Sequence, residues 1–356
     1  MEKMGKNGSK EEILIMDKNK ANREYWLDLV KGLAIIGVVL QHSLQRTIYY
    51  FDLGEAFWLP TANDFVASVN MQWFFVVSGY IYFVRRDKYL ADAKTFFKTR
   101  FIDLMIPYLI LGPVIWFGKF TLSAYVKNPV TINDLLDMFV TPIAFMWFIY
   151  VLFFVEIIIY ALDKLTRWRW ELTLAILFVV YVILHVTIGR GKDVFRLTTY
   201  YLFWYYLGGI FVFYKGLINS NANKLISGGA LWIIAFILHL GLKNTPVDKI
   251  LGIVYALSST MFVTMFFRKY CSENKVNSLL NYLGNRTMYI YILNPIIING
   301  LRQVLVKTQI NDIAINFITF FLGAILIACL IAEIGKRFAL VGFIFTPRKY
   351  IIKKNK

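Results

Sequence analysis

The stretch Tyr25-Trp26-Leu27-Asp28-Leu29-Val30-Lys31-Gly32-Leu33-Ala34-Ile35-Ile36-Gly37-Val38-Val39-Leu40-Gln41-His42-Ser43 decides the fold. It is an almost continuous apolar run, about as long as a bilayer core is thick when helical. Backbone inside hydrocarbon must satisfy its own hydrogen bonds, so such a run is a helix. Lys31 and His42 are eleven residues apart. That is almost three whole turns, so both side chains leave one face, about 16 Å apart along the axis. Asp28 precedes Lys31 by three residues and Arg46 follows His42 by four, which puts all four on one stripe.

Outward from this run, hydropathy predicts ten crossings, at 26–44, 63–84, 101–122, 142–162, 170–188, 198–214, 225–242, 249–267, 287–306 and 312–334. The expected architecture is an all-α, polytopic membrane helix bundle of about ten transmembrane helices. The runs are too continuous for barrel strands. Composition agrees: 58% of residues are hydrophobic and only 17% are charged, against about 25% in soluble domains. A soluble enzyme and a disordered chain are excluded.

The net charge of +17 resides in the connections between apolar runs. It therefore reads as a topology signal and an attraction to anionic membrane lipid, and no nucleic-acid module accompanies it. Of the 39 Lys and Arg, 28 fall in the termini and the loops 85–100, 163–169, 215–224 and 268–286, and 10 fall in the alternate loops. This bias places both termini in the cytoplasm, with the chain multi-pass in the plasma membrane. The expected organisation is a cytoplasmic leader at 1–24, a membrane domain at 25–334 and a basic cytoplasmic tail at 335–356. No cleavable signal peptide is expected in the leader, whose apolar stretch Ile13–Met16 is short. No loop is long enough for a separate catalytic domain, so any chemistry belongs inside the bundle or at its mouths. His42, His185 and His239 lie in three different segments, and Cys271 and Cys329 are far apart, so no metal site and no disulfide is expected.

Polar groups inside membrane segments are the expensive ones. Lys31 reads either as a snorkelling lysine paired with Asp28 or as a ligand-facing group, and His42 either as an interfacial residue or as a reactive one. The second segment contains Phe74-Phe75-Val76-Val77-Ser78-Gly79-Tyr80. Ser78 and Gly79 fall at the depth of Lys31, where small residues either pack helices tightly or border a narrow gap for a thin ligand. Arg85, Arg86, Lys88, Lys94, Lys98 and Arg100 follow within 16 residues. They suit a phosphorylated ligand at the inner mouth and also fit plain positive-inside bias. Glu156, mid-membrane in the fourth segment, needs a partner or a proton. His185 and His239 read as structural.

These residues resemble the integral-membrane acyltransferase family 3. The spacing of Lys31 and His42 matches the basic residue and histidine of the family's first helix. Phe74-Phe75-Val76-Val77-Ser78-Gly79-Tyr80 matches its second-helix motif. Met146-Trp147-Phe148-Ile149-Tyr150-Val151-Leu152-Phe153 resembles the fucose 4-O-acetylase-like branch, and Leu283-Gly284-Asn285-Arg286-Thr287-Met288-Tyr289-Ile290-Tyr291 is similar to a late family segment. Two departures stand out. The cytoplasmic Arg-x-x-Arg is replaced by Lys98-Thr99-Arg100, and Asn294-Pro295 stands where the late segment often ends in histidine.

The resemblance implies a membrane-embedded O-acyltransferase, by family default an O-acetyltransferase. It would move an acyl group from cytoplasmic acetyl-CoA or another acyl-CoA to a hydroxyl of a surface glycan or lipid-linked sugar. His42 would be the catalytic base or a transient acyl acceptor, with Lys31 polarising the carbonyl or anchoring the donor. Ser78, Gly79, Arg85, Arg86, Lys98 and Arg100 would hold the donor. Arg46, Trp147, Tyr150 and Glu156 would meet the acceptor. Glycan-synthesis machinery is the implied partner. The competing reading is a glycan or lipid exporter, with Pro107, Pro113, Pro142 and Pro295 marking broken helices.

Overall fold

The computed structural model describes residues 4–53, 58–121, 130–166, 169–214, 222–243 and 245–352, with side chains from Tyr25 onward except those of 144 and 246. The leader's side chains, including the stretch Ile13–Met16, lie outside the described residues, as do Trp168 and the last four residues of the tail. Of the described residues, 87% are helical and none is in a strand. In order the helices are α1 (Met4–Phe51), α2 (Trp58–Ala67), α3 (Asn70–Val84), α4 (Arg86–Ala91), α5 (Ala93–Arg100), α6 (Ile106–Thr121), α7 (Ile132–Leu136), α8 (Trp147–Thr166) and α9 (Trp170–Thr187). They continue with α10 (Val194–Leu207), α11 (Ile210–Phe213), α12 (Ala222–Gly241), α13 (Pro246–Lys269), α14 (Lys275–Gly284), α15 (Thr287–Lys307), α16 (Ile313–Arg337), α17 (Ala339–Phe345) and α18 (Arg348–Ile351).

Polar side chains start several of these helices. Asp193, Asn274 and Asp312 accept the backbone N–H groups of Arg196, Asn277 and Ile315 at 2.8–2.9 Å, satisfying donors that the first turn leaves open. α1 stops where Asp52 takes a left-handed φ of 50° and the Leu53 N–H reaches back to the Ile48 carbonyl at 3.0 Å. Between α5 and α6 the helix widens into a π turn at Phe101–Met105. Pro107 has no N–H for the Asp103 carbonyl and its ring crowds that oxygen, which accounts for the widening.

Among the described residues, seven helices are long and apolar enough to cross a membrane: Tyr25–Phe51, Ala93–Thr121, Trp170–Thr187, Ala222–Gly241, Val247–Lys269, Thr287–Lys307 and Ile313–Arg337. The other three expected segments fall short for physical reasons. The run 63–84 breaks between α2 and α3, where Ser68 Oγ bonds the Asp64 carbonyl at 3.0 Å. The run 198–214 breaks at Gly208-Gly209 after the 14 residues of α10. α8 carries Glu156, Asp163 and Lys164.

These three are inner helices. Twelve of the fifteen residues of α3 are buried, and ten of the fourteen of α10. A helix wrapped in protein can be short or charged, because its polar groups find protein partners rather than lipid. α9 and α12 are the opposite case, with three and two buried residues. Their exposed Ile176, Val179, Ile183, Ile226, Ile233 and Ile237 form apolar outer faces suited to lipid.

α1 is the axis of the bundle. It packs against α2, α3, α13, α14, α15 and α16, while α10 packs against α3, α8 and α9.

Candidate active site

The four separated motifs meet around α1. Trp26 of α1 meets the Tyr80 ring edge-on at 5.0 Å. Phe74 and Phe75 of α3 pack on Phe148 of α8 with centroids 5.5 and 5.2 Å away. Tyr291 of α15 accepts the Phe148 N–H at 3.2 Å and donates to the Phe145 carbonyl. The late Leu283-Gly284 segment lies against α1 so closely that a Cβ at Gly284 would sit 2.8 Å from the Asp28 carbonyl carbon. Glycine is the residue that permits such a backbone contact.

On the stripe itself, Lys31 Nζ pairs with Asp28 Oδ1 at 2.5 Å, both side chains about one quarter exposed. The expected Asp28 pairing is thus present, with accessible surface left on both groups. His42 lies deep in the bundle yet keeps some accessible surface. Neither ring nitrogen hydrogen-bonds to a described residue. Its neighbour Gln41 accepts from Asn70 Nδ2 at 2.7 Å. Arg46, one turn on, donates to Asn299 Oδ1 of α15.

At the end of α1 nearer Lys31, the expected donor-binding residues separate into two groups. Arg86 is bound to Asp163 of α8, with Nε 2.9 and 2.8 Å from the two carboxylate oxygens and Nη2 2.7 Å from one of them. Tyr82 donates to the same carboxylate at 3.0 Å. Arg100 faces Glu156 at 3.1 Å, with 15% and 3% of their side chains exposed. That contact is electrostatic rather than a well-aligned hydrogen bond. Arg100 also donates to the Tyr89 hydroxyl at 3.0 Å, and Glu156 accepts from Tyr205 at 3.2 Å. The lone carboxylate expected to meet an acceptor and an arginine expected to meet the donor are therefore each other's partners.

Arg85 and Lys98 are exposed and make no ion pair with a described residue. Ser78 is half-buried. Gly79 is buried against α10, where a Cβ would fall 2.7 Å from the Tyr205 carbonyl carbon, so it sits at a helix contact. Arg268 of α13 was legible only as loop charge. It lies over the Trp26 and Tyr80 rings at 5.4 and 5.6 Å and donates to the Phe211 carbonyl at 2.8 Å. It thus adds a cation from a distant segment to the same end.

At the opposite end, a cleft of about 410 Å³ opens between α1 and α2, lined by Gln45, Tyr49, Asp52, Asn63, Asp64 and Lys243 among others. Its size falls within the range of small-ligand pockets. Trp147 is half-buried, stacked on Tyr201 at 5.5 Å with the Arg190 guanidinium over its face at 5.0 Å. Tyr150 is core. It stacks on Tyr108 at 4.3 Å and donates to the Phe139 carbonyl at 3.0 Å. Asn294 is fully buried and donates to the Ile290 and Tyr291 carbonyls at 2.8 Å each. Pro295 lacks the N–H that would otherwise serve Tyr291.

An imidazole with no hydrogen bond to a described residue, inside a bundle with cationic groups toward both ends, can accept a proton from a hydroxyl. Comparison with known proteins bears on that chemistry. A family model described as an acyltransferase domain matches residues 24–333. The chain belongs to the acyltransferase-3 family. It is an acyltransferase acting on groups other than aminoacyl groups, and with its long apolar helices it is a multi-pass membrane protein. Similar proteins include the glucans biosynthesis protein C of Escherichia coli O139:H28 strain E24377A, of O1:K1 and of strain K12 DH10B. Each is 24% identical, over 96% of this chain and 98% of its own length. No solved structure matches.

Proposed function

We propose that this acyltransferase moves an acetyl group from cytoplasmic acetyl-CoA to a hydroxyl of an extracytoplasmic glycan, with His42 as general base. The carrying observation is His42, partly exposed and free of hydrogen bonds to described residues, on the helix around which the four family motifs gather. Acyl-CoA, when bound, supplies an activated thioester. His42 takes the proton of the acceptor hydroxyl as its oxygen bonds to the acyl carbon. The imidazolium then returns that proton to the sulfur as the carbon–sulfur bond breaks.

Lys31 lies on the same stripe about three turns from His42, too far to reach the reacting carbonyl, and would anchor the donor further along its length. Its attachment to Asp28 fixes its direction. Arg85 and Lys98 are the exposed cations suited to the donor's phosphates, and the half-buried Ser78 lies between them and Lys31 in the chain order of the inner end. Arg86, Arg100 and Glu156 support this end through their mutual pairings. The cleft beside Tyr49 suits a sugar acceptor, while the Trp147 face is covered by Arg190. The relatives' names point to glucan as the acceptor class. Positive residues at the termini favour a plasma-membrane orientation with both ends cytoplasmic and ten crossings in all, three of them by the short inner helices.

The test is transfer of labelled acetyl from acetyl-CoA to a gluco-oligosaccharide by purified protein in vesicles. The product should carry an ester that mild alkali removes. A protein that moves the oligosaccharide across the bilayer without forming that ester overturns the reading.

A further inference from the structure

At the end of α1 beyond His42, two arginines share one patch, and among the described residues neither is paired with a carboxylate. Arg46 and Tyr50 stand one turn apart on α1, and Asn299 and Arg302 one turn apart on α15. Arg46 Nη2 donates to Asn299 Oδ1, while the Arg302 guanidinium lies 5.7 Å from the Tyr50 ring centroid. The four residues form one patch across the α1–α15 contact, and the two guanidinium charges act on each other. Neither arginine forms an ion pair with a described residue. Arg302 Nε is buried and has no hydrogen-bond partner among them. The nearby carboxylates are turned elsewhere: Asp52 lines the cleft with α2, and Asp64 is held by Lys243 at 2.9 Å.

Two half-buried guanidiniums close together repel each other, and an unpaired buried donor is costly. An oxyanion between them would remove both penalties and accept charge-assisted hydrogen bonds from both forks. We infer that Arg46 and Arg302 form an anion subsite, which receives a phosphate or carboxylate carried by the acceptor within about one helical turn of the hydroxyl presented to His42. The acceptor assignment rests on the function proposed above. The anion binding does not.

The experiment measures thermal unfolding of the full-length protein in maltoside detergent, at fixed ionic strength set with chloride. The additions are inorganic phosphate, glucose 6-phosphate, or phosphatidylglycerol in the micelle. Wild type should gain several degrees with either soluble phosphate, and more with the sugar phosphate. Arg302→Gln should lose that gain. Asn299→Asp, which supplies an internal carboxylate of nearly unchanged shape, should raise Tm without additive and also lose the gain. This second variant keeps the test decisive should Arg302→Gln fold poorly. His42→Ala should retain the gain, so a wrong catalytic assignment and a wrong anion subsite give different results. The inference is overturned by a wild-type Tm that phosphate leaves unchanged. It is equally overturned by an Asn299→Asp protein that responds as wild type does. A response to phosphatidylglycerol alone would assign the pair to a lipid headgroup and remove the acceptor from it.

Discussion

Arg100 and Glu156 meet 3.1 Å apart in the interior, one from the end of α5 and the other from the middle of α8. This pair ties the basic inner loop to the core of the bundle. Breaking a buried pair leaves a naked charge and typically costs about 3–5 kcal/mol. Glu156→Gln should therefore lower the unfolding temperature sharply, and adding Arg100→Gln should recover part of the loss. Thermal unfolding in detergent measures this. A Glu156→Gln protein as stable as wild type would remove the pair from the fold's energetics.

The contact between Gly79 and the Tyr205 backbone makes a second prediction. A methyl group at 79 has nowhere to go without separating α3 from α10, a strain of about 1–3 kcal/mol or more. Gly79→Ala should be destabilised, while Gly300→Ala, with no atom near its added Cβ, should be tolerated. Paired unfolding curves decide it. Unchanged stability with a raised donor KM would instead make Gly79 part of a donor passage.

The inner cations should divide by role. Arg85→Gln combined with Lys98→Gln should raise the acyl-donor KM about tenfold at unchanged kcat, the signature of lost uniform binding. Arg86→Gln should act on stability, since it strands the buried Asp163 carboxylate. Steady-state kinetics beside melting curves separate the two. Loss of kcat in the double variant would contradict a purely binding role.

The charge bias predicts sidedness. In a variant lacking Cys271 and Cys329, an impermeant maleimide added to intact cells should label Lys307→Cys and spare Lys98→Cys. Labelling of Lys98→Cys alone would reverse the orientation.

Much of this was legible before any coordinates. The stripe Asp28, Lys31, His42 and Arg46 follows from helical spacing alone, and hydropathy located the long outer helices because their faces meet lipid. The inner helices were harder. Residues 63–84 are mostly apolar, and Ser68, Asn70 and Gln72 around the break were too few to end the run. Gly208-Gly209 did carry a signal, since adjacent glycines weaken a helix. Pairings such as Arg100 with Glu156, or Arg86 with Asp163, join segments far apart in the chain and leave no local pattern. Arg302 counted only as one more outer charge, because its meaning depends on Arg46 sharing its patch.

The most direct test of the account is acetyl transfer by His42→Ala, measured with labelled acetyl-CoA and a gluco-oligosaccharide on protein shown by melting to be folded. General-base catalysis is worth about 10²–10⁴-fold, so the rate should fall by at least two orders of magnitude with stability little changed. A folded His42→Ala enzyme that keeps the wild-type rate would contradict the assignment of the chemistry to this imidazole.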